Sequence, residues 1–409
     1  MHARIFTRSR ISPTAAGVGV VALALTGCVP NSANRTTVSV AITDSTCLVS
    51  EVAATSGSIT FTIKNTGSDV NEFEILADDK LRIVGEKENI TPGQTVSYVA
   101  QLEPGTYYTA CNFQQVGAPI GLAEFAVTGN AIAVTADEKK LTDQAVSSYV
   151  TYARSQVAEL IPRVNTFAQA YMAGNDQTAR TLFAAARVSY ERIEPTAEAF
   201  GDLDPKIDFR EVDAVAEGLD WTGYHRMEKD LWPPTATALN YDGTSALLDW
   251  APSTIAQRQA FGHGLIDNVR ALADLVNDAA FTVTLADISN GAISLLDEVA
   301  ASKITGEEDW WSHTDLGDFY ANVQGAEVAF GTVKDIASAK GAVGEKLVAG
   351  IEKQFTALKK LLDNYGSLES GNVSYDTVSE SQHKQLSDEV NALSEPLSQL
   401  THAVLGVAN

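Results

Sequence analysis

The chain has 409 residues, more than one hydrophobic core usually organises, and 45% of them are hydrophobic, which is ordinary for a globular protein. Its formal net charge of −23 at pH 7 argues against nucleic acid as a partner, because phosphate binding needs clustered Lys and Arg. The same charge is compatible with attracting cations, although solubility alone also explains it.

The first 27 residues have the pattern of a secretory signal. Three arginines precede the apolar run "AAGVGVVALAL", which is too short for a comfortable membrane span. The sequence "LTGC" that ends at Cys28 resembles a bacterial lipobox, which implies cleavage before Cys28 and lipid on its sulfur. We therefore expect a lipoprotein signal peptide (1–27), a tether (28–36), and a mature chain anchored by lipid to the cell membrane on its extracytoplasmic side. The alternative is an ordinary signal peptide with a coincidental cysteine.

Residues 37–128 have the pattern of short β-strands. Seven runs rich in Val, Ile, Thr, Tyr and Phe are separated by turns such as "NTGSD", "TPGQ" and "EPG", which indicates a β-sandwich. In an oxidising compartment Cys47 and Cys111 form a disulfide or, alternatively, supply two thiolate metal ligands. No histidine occurs between Cys28 and Thr222, so an ordinary blue-copper centre, which needs two histidines, is excluded.

After a boundary at residues 129–140 the chain becomes helical in character. From Leu141 onwards hydrophobic residues recur with a period near 3.6, which predicts an all-α domain over residues 141–409, built as bundles. The expected fold class is therefore α+β and multidomain, with a β-sandwich first and an all-α domain second.

Two groups of residues in the helical domain have the spacing of metal ligands. His225 and Glu228, in "TGYHRMEKDLW", are three residues apart and share one helix face. Glu191 and Glu194 have the same spacing, and Asp208 follows in "KIDFRE". If these helices pack together, the carboxylates and the imidazole converge, which is costly unless a cation neutralises them. The alternative is a solvated acidic face.

A zinc peptidase is disfavoured because its helix motif, H-E-x-x-H, is absent. Arg226 follows His225, and Lys229 stands where a second histidine would be. Among the other histidines only His313, in "EEDWWSHTDL", has an acidic and aromatic setting that suggests a site, and it can equally precede a helix start.

Several longer motifs resemble one family. The segments "VSYERIEPTAEAF", "DLDPKIDFRE", "TGYHRMEKDLW", "DEVAASKITGEED" and "SHTDLGDFYANVQG" resemble the imelysin-like, peptidase-named domain of EfeO proteins. The segments "NEFEIL", "GEKENITPGQ" and "LEPGTYYTAC" resemble the cupredoxin-like domain that precedes it in that family. The resemblance covers nearly the whole mature chain. It implies a cupredoxin-like sandwich over residues 37–128, a linker at 129–140 and paired four-helix bundles over 141–409.

The resemblance also implies a function. EfeO proteins are non-enzymatic, extracytoplasmic iron-binding components of an Efe-type uptake system, and work with a membrane iron permease and a haem peroxidase. The bound ion would be Fe³⁺ or Fe²⁺, with Zn²⁺ or Cu²⁺ as alternatives. The family's helical metal site corresponds here to Glu191, Glu194, Asp208, His225 and Glu228. Its proposed second site, in the β domain, corresponds to Cys47, Glu74, Glu88 and Cys111.

Two alternatives from other classes stay open at this point. One is a zinc-dependent metallopeptidase of the imelysin type, which needs an open coordination position and a substrate cleft. The other is an adhesion or structural lipoprotein whose acidic clusters are solvated faces.

Overall fold

The computed structural model describes residues 36–406 except 79, 81–82, 114–118, 131–134, 242, 249 and 302. The predicted signal peptide, the predicted lipidation residue Cys28 and the predicted tether up to residue 35 lie outside the described residues. Within the described part of the chain, no helix is both long enough and apolar enough to cross a bilayer.

The N-terminal part of the described chain contains nine strands in two sheets. They are β1 (Thr36–Ile42), β2 (Cys47–Val49), β3 (Ala53–Thr55), β4 (Gly57–Asn65), β5 (Asn71–Leu76), β6 (Ile83–Ile90), β7 (Thr95–Leu102), β8 (Gly105–Phe113) and β9 (Ile120–Thr128). One sheet has the order β2-β1-β4-β7, and the other has the order β3-β9-β8-β5-β6. The pairs β1–β4 and β3–β9 are parallel, and the other pairs are antiparallel.

The two sheets enclose an apolar core that the alternation of the strands dictates. In β4 every second residue points inwards, and Ile59, Phe61 and Ile63 are fully buried. The ring of Phe61 contacts Phe73 and Phe125 of the opposite sheet, at centroid distances of 5.2 and 5.7 Å. The predicted sandwich is confirmed. Strands β2 and β3 were not predicted, because three residues are too few to show alternation.

Helices form most of the remaining described chain. They are α1 (Ala136–Met172), α2 (Asp176–Glu191), α3 (Leu203–Asp208), α4 (Glu211–Glu217), α5 (Gly223–Leu231), α6 (Ile255–Asn277), α7 (Leu285–Ala301), α8 (Asp315–Ser338), α9 (Ala342–Leu362), α10 (Glu380–Leu397) and α11 (Leu400–Val404). Short 3₁₀ helices lie at Glu194–Phe200, Lys303–Thr305, Asp363–Tyr365 and Tyr375–Thr377. A small hairpin of β10 (Gly366–Ser367) and β11 (Gly371–Asn372) interrupts this helical part.

The helices bury two separate hydrophobic cores. One lies among α1, α2, α5 and α6 and includes Phe167, Phe183 and Tyr224. The other lies among α7 to α10 and includes Phe330 and Phe355. The long helix α1 contributes its second half to the first core and its first half to the second. The predicted α+β architecture, a sandwich followed by a helical part, is confirmed.

The β-sandwich packs on α7 through β6 and β7. Nζ of Lys87 lies 2.8 Å from a carboxylate oxygen of Asp297, and the side-chain amide of Asn290 donates to the carbonyl of Val99 at 2.8 Å. The face of β5 that carries Glu72 and Glu74 is buried, each side chain being 6% exposed.

Candidate metal centre

The short helix α5 carries a histidine and a glutamate into the protein interior. All nine of its residues are buried, although its sequence "GYHRMEKDL" is largely polar. It begins at Gly223, which has a φ of +76°, and a Cβ at this position would lie 2.1 Å from the carbonyl oxygen of Ile207. Glycine therefore lets α5 approach the end of α3, and this contact brings His225 close to Asp208.

His225 lies between two pairs of carboxylates and is 2% exposed. Its Nδ1 is 3.2 Å from Glu228 Oε2 and 3.9 Å from Asp309 Oδ1. Its Nε2 is 3.5 Å from Glu308 Oε1 and 3.6 Å from Asp208 Oδ1. Within the described residues this buried Nε2 has no hydrogen-bond partner. A buried polar atom without a partner costs free energy, so Nε2 is well placed to bind a metal ion.

The segment that precedes α8 supplies Glu308 and Asp309 and also fixes Glu228. The backbone N–H groups of Trp311 and Ser312 donate to Glu228 Oε1 at 3.1 and 2.7 Å. Oε1 is therefore held by the backbone, whereas Oε2 faces His225. This arrangement fixes the orientation of the carboxylate without neutralising it.

Arg187 on α2 is a fully buried counter-ion of the cluster. Its Nε donates to Asp318 at 2.8 Å, and its Nη1 donates to Asp208. Its Nη2 donates to Glu191 at 2.7 Å and to Glu308 at 3.1 Å. One guanidinium therefore donates hydrogen bonds to four carboxylates. Two of them, Asp208 and Glu308, also face the imidazole of His225.

Lys303 is a second buried cation, and it contacts carboxylates of the cluster rather than the histidine. Its Nζ is 2.6 Å from Glu194 Oε1 and 3.8 Å from both Glu191 Oε2 and Glu308 Oε1. The amide of Asn322 donates to Glu191 Oε2 at 3.0 Å and to Glu194 Oε2 at 2.5 Å. Glu191 and Glu194 are therefore already bound by groups of the protein.

Burial and the neighbouring charges shift the pKa values of His225, Glu308 and Asp309. Burial and Arg187 lower the pKa of His225, but the facing carboxylates of Glu228, Glu308 and Asp208 outweigh them and raise it to about 9. Burial raises the pKa of Glu308, but Lys303 and His225 hold it well below its usual range. Burial raises the pKa of Asp309 well above its usual range, and the neighbouring Glu228 adds to the effect. A cation entering the centre would therefore compete with protons at His225 and Asp309.

A cavity of about 30 Å³ adjoins the centre and is bordered by His225, Glu228 and Glu308. A cavity of roughly 10–15 Å³ is enough for one water molecule. The cavity is also bordered by Arg210, Glu211, Val212, Trp221, Asn240, Tyr241, Glu307, Trp310 and Trp311. It can therefore hold a small ion or about two water molecules.

Lys229 lies close to three tryptophan rings, of which Trp221 and Trp311 border this cavity. It is fully buried, its Nζ lies 5.0 Å from the ring centroid of Trp311 and 5.6 Å from those of Trp221 and Trp250, and it donates to Glu211. Cations at such distances are attracted to aromatic faces. The residue that stands where a peptidase would have its second histidine is thus part of the surrounding structure.

At this centre, two overlapping sets of the described side chains could hold a metal ion. Asp208, His225 and Glu308 form one set, and His225, Glu228 and Asp309 form the other, with ligand atoms within 4.8 Å of one another in each. Atoms bound to a first-row metal at about 2.1 Å lie roughly 3–4 Å apart. The spacings of 3.5 and 3.6 Å around Nε2 fall in this range. Carboxylate oxygens with one imidazole nitrogen suit iron and other first-row ions.

The sequence prediction and the structure overlap in part at this centre. The structure brings together Asp208, His225 and Glu228. It places Glu191 and Glu194 against Arg187, Lys303 and Asn322, in the same buried network but not beside the imidazole. Glu308 and Asp309 were not among the predicted ligands. Their signal in the sequence was the acidic run that ends "DEVAASKITGEED" and begins "EEDWWSHTDL", and no helix spacing supported it because their segment is not a regular helix.

In the β-sandwich, Cys47 and Cys111 are joined as a disulfide that links β2 to β8. This is one of the two arrangements that the sequence left open, and it leaves neither sulfur as a thiolate ligand. Glu74 accepts a hydrogen bond from Asn112. Instead of Glu74 with Glu88, the structure groups Glu74 with two other glutamates of β5 and β6.

That group consists of Glu72, Glu74 and Glu86, whose carboxylate oxygens lie within 4.8 Å of one another. Burial raises the pKa of Glu86 well above its usual range, and Glu72 and Glu198 of the helical part raise it further. Burial, Glu72 and other glutamates have the same effect on the pKa of Glu88. Glu86 and Glu88 therefore hold their protons more tightly than exposed glutamates do, and a cation at this group would compete with those protons.

Comparison with known proteins adds independent information. The family model described as Imelysin matches residues 145–400, and the model of the cupredoxin-like domain matches residues 16–120. The chain is 33% identical over 394 residues to the iron uptake system component EfeO of Escherichia coli O6:K15:H31 (strain 536 / UPEC), covering 95% of this chain and 97% of that relative. It is 32% identical, with the same coverage, to the proteins of that name from Escherichia coli K12 and Shigella flexneri.

Proposed function

The chain belongs to the EfeO family, and from this premise we propose that it is the extracytoplasmic iron-binding component of an iron uptake system. It captures iron at the centre around His225 and passes it to a membrane permease. Lipid on Cys28 holds the mature protein at the cell membrane. A haem peroxidase of the same system is its second partner, and the protein itself catalyses no reaction.

The observation that carries this proposal is the buried Nε2 of His225, which has no hydrogen-bond partner among the described residues and faces Glu308 and Asp208 at 3.5 and 3.6 Å. A buried imidazole normally finds a hydrogen-bond partner. Here the neighbouring oxygens approach without bonding, at the spacing of ligands around a common ion. Iron bound at this point would give Nε2 and both carboxylates a shared partner.

The carboxylates around His225 favour an ion of high positive charge. Asp208, Glu228, Glu308 and Asp309 surround the imidazole, and the buried cations that serve them are shared with further carboxylates. Carboxylates this close, away from water, repel one another unless a cation lies between them. Oxygen ligands suit Fe³⁺ best, and Fe²⁺, Zn²⁺ and Cu²⁺ are the competing ions.

The alternative of a zinc-dependent peptidase is weakly supported by the same geometry. A catalytic zinc site needs an open position for water and a cleft that admits the substrate. The cavity that reaches His225 measures about 30 Å³, and a neighbouring groove of about 500 Å³ is lined by no residue of the centre. Lys229 occupies the position of the second histidine of the peptidase motif. The centre therefore fits the binding of an ion better than the hydrolysis of a peptide.

Iron-dependent thermal unfolding of the purified mature protein tests the proposal. We expect iron to raise the Tm of the parent protein, by mass action equivalent to about 2.7 kcal/mol at a hundredfold excess over Kd. His225→Ala should lose most of this shift, and His263→Ala, an exposed position on α6, should keep it.

An unchanged shift in His225→Ala would contradict the proposed site. Peptide cleavage by the zinc-loaded parent that His225→Ala abolishes would favour the peptidase instead.

A further inference from the structure

A groove of about 500 Å³ lies next to the metal centre and is not used by it. Trp310 and Trp311 border both the groove and the small cavity beside His225. The groove is lined by Arg180, Trp232, Pro233, Pro234, Thr235, Ala238, Leu239, Trp310, Trp311 and His313. Its volume is in the range of small-molecule sites, roughly 300–1,000 Å³.

The charged lining of the groove is cationic, which is unusual in a protein with a formal net charge of −23. None of the lining residues is a carboxylate. Arg180 donates its Nε to the carbonyl of Leu231 at 2.6 Å and lies over the ring of Trp232, 5.8 Å from its centroid. Among the described residues it forms no ion pair with a carboxylate. Its remaining N–H groups have no hydrogen-bond partner within the described part of the chain and can bind an anion.

His313 provides a second and independent polar group. Its backbone has a φ of +57°, a conformation that costs a non-glycine residue of order 1 kcal/mol and that often marks functional sites. Its N–H donates to the carbonyl of Asp309 at 2.8 Å, and its carbonyl accepts from the N–H of Tyr375 at 2.9 Å. The imidazole is half-buried and has no hydrogen-bond partner within the described residues.

The aromatic walls are held in place by contacts of their own. Trp232 packs edge-on against Phe183, with ring centroids 5.5 Å apart. Trp310 packs edge-on against Tyr241 at 5.7 Å and donates its Nε1 to the carbonyl of Leu239 at 2.9 Å. Rigid aromatic faces suit a flat, apolar ligand, because little side-chain freedom is lost on binding.

We propose that this groove binds a planar aromatic carboxylate, with the ring between the tryptophans and the carboxylate on Arg180 and His313. A guanidinium binds a carboxylate through two parallel hydrogen bonds. The backbone segment that forms one wall also donates to Glu228, so the ligand would lie directly beside the candidate metal centre. Binding does not require a metal.

Isothermal titration of the metal-free protein with benzoate, in the presence of a chelator, tests this proposal. Benzoate should bind saturably. Benzamide, its neutral analogue, and cyclohexanecarboxylate, its non-planar analogue, should each bind at least about tenfold more weakly. Arg180→Gln should weaken benzoate about tenfold, Arg180→Lys should recover part of the loss, and the exposed Arg270→Gln should have no effect.

His313→Asn provides a second variant if Arg180→Gln does not fold, because asparagine tolerates a positive φ. It should weaken benzoate while leaving benzamide unchanged. Equal binding of benzoate and benzamide, or full affinity in both variants, would overturn the proposal. Binding of a polyproline peptide but not of benzoate would also overturn it and assign the groove to a protein segment. Since no metal is used, these outcomes are separate from those for the iron site.

Discussion

Raising the pH should destabilise the metal-free protein, and His225 should be responsible for a large part of the effect. Its pKa is about 9 in the folded protein and about 6.5 in an unfolded chain. A group whose pKa rises on folding holds its proton more tightly in the native state. Its contribution to stability is therefore complete below pH 6.5 and is lost as the pH rises through 9.

The size of the effect follows from the shift. A difference of about 2.5 pKa units, at about 1.4 kcal/mol per unit, corresponds to about 3 kcal/mol of unfolding free energy. Burial raises the pKa values of Glu198, Asp204 and Asp315 to about 7. These acids also favour the native state when protonated, but they lose that contribution mostly below pH 7. Other buried carboxyl groups with raised pKa values, such as Glu86 and Glu88, affect the parent and a His225 variant alike. The difference between these two proteins from pH 7.5 to 9 therefore reports on His225.

Urea unfolding with chelator present, followed by tryptophan fluorescence at pH 7.5 and 9, measures the effect. The unfolding free energy of the parent should fall over this range. That of His225→Gln should fall distinctly less, because the variant cannot hold the proton. His263→Gln, altered at an exposed position, should behave like the parent. If parent and His225→Gln lose the same free energy between the two pH values, the electrostatic account of the centre is wrong.

Further predictions concern the lipid anchor, the disulfide, the ligand Glu308 and the pH dependence of iron binding. Cys28→Ser should release the protein from the membrane fraction, and intact-mass analysis of the parent that finds no lipid on residue 28 would refute the anchor. Thiol counting on the secreted, unreduced protein should find no reactive thiols, whereas two would favour a thiolate metal site in the sandwich. Glu308→Gln should weaken iron binding at least about tenfold in a competition titration, while Glu395→Gln, on the exposed side of α10, should not. Iron affinity should rise between pH 6 and 9, because the metal competes with protons at the centre, and a pH-independent affinity would argue against a histidine ligand.

The sandwich and the helical part were predictable because their hydrophobic periods differ. Strand alternation such as that of Ile59, Phe61 and Ile63 is visible in the sequence, and so is the helical period after the boundary. The strands β2 and β3 and the hairpin of β10 and β11 were not predictable, because runs of two or three residues carry no period.

At the candidate site, sequence spacing predicted only the contacts between residues of the same helix. His225 and Glu228 are an i,i+3 pair, so their meeting follows from local geometry. Glu308 and Asp309 reach His225 through tertiary packing, in a segment without regular structure, and no local pattern reports such a contact. The family resemblance assigned Glu191 and Glu194 as ligands, but the structure pairs them with Arg187 and Lys303, and their role as iron ligands stays a prediction.

Anomalous scattering at the iron edge, from crystals of the iron-loaded mature protein, tests the central claim most directly. We expect one strong peak about 2.0–2.3 Å from Nε2 or Nδ1 of His225 and from at least two of its surrounding carboxylates. A strong peak elsewhere with none beside His225, or no peak in protein that binds iron in solution, would contradict the proposed centre.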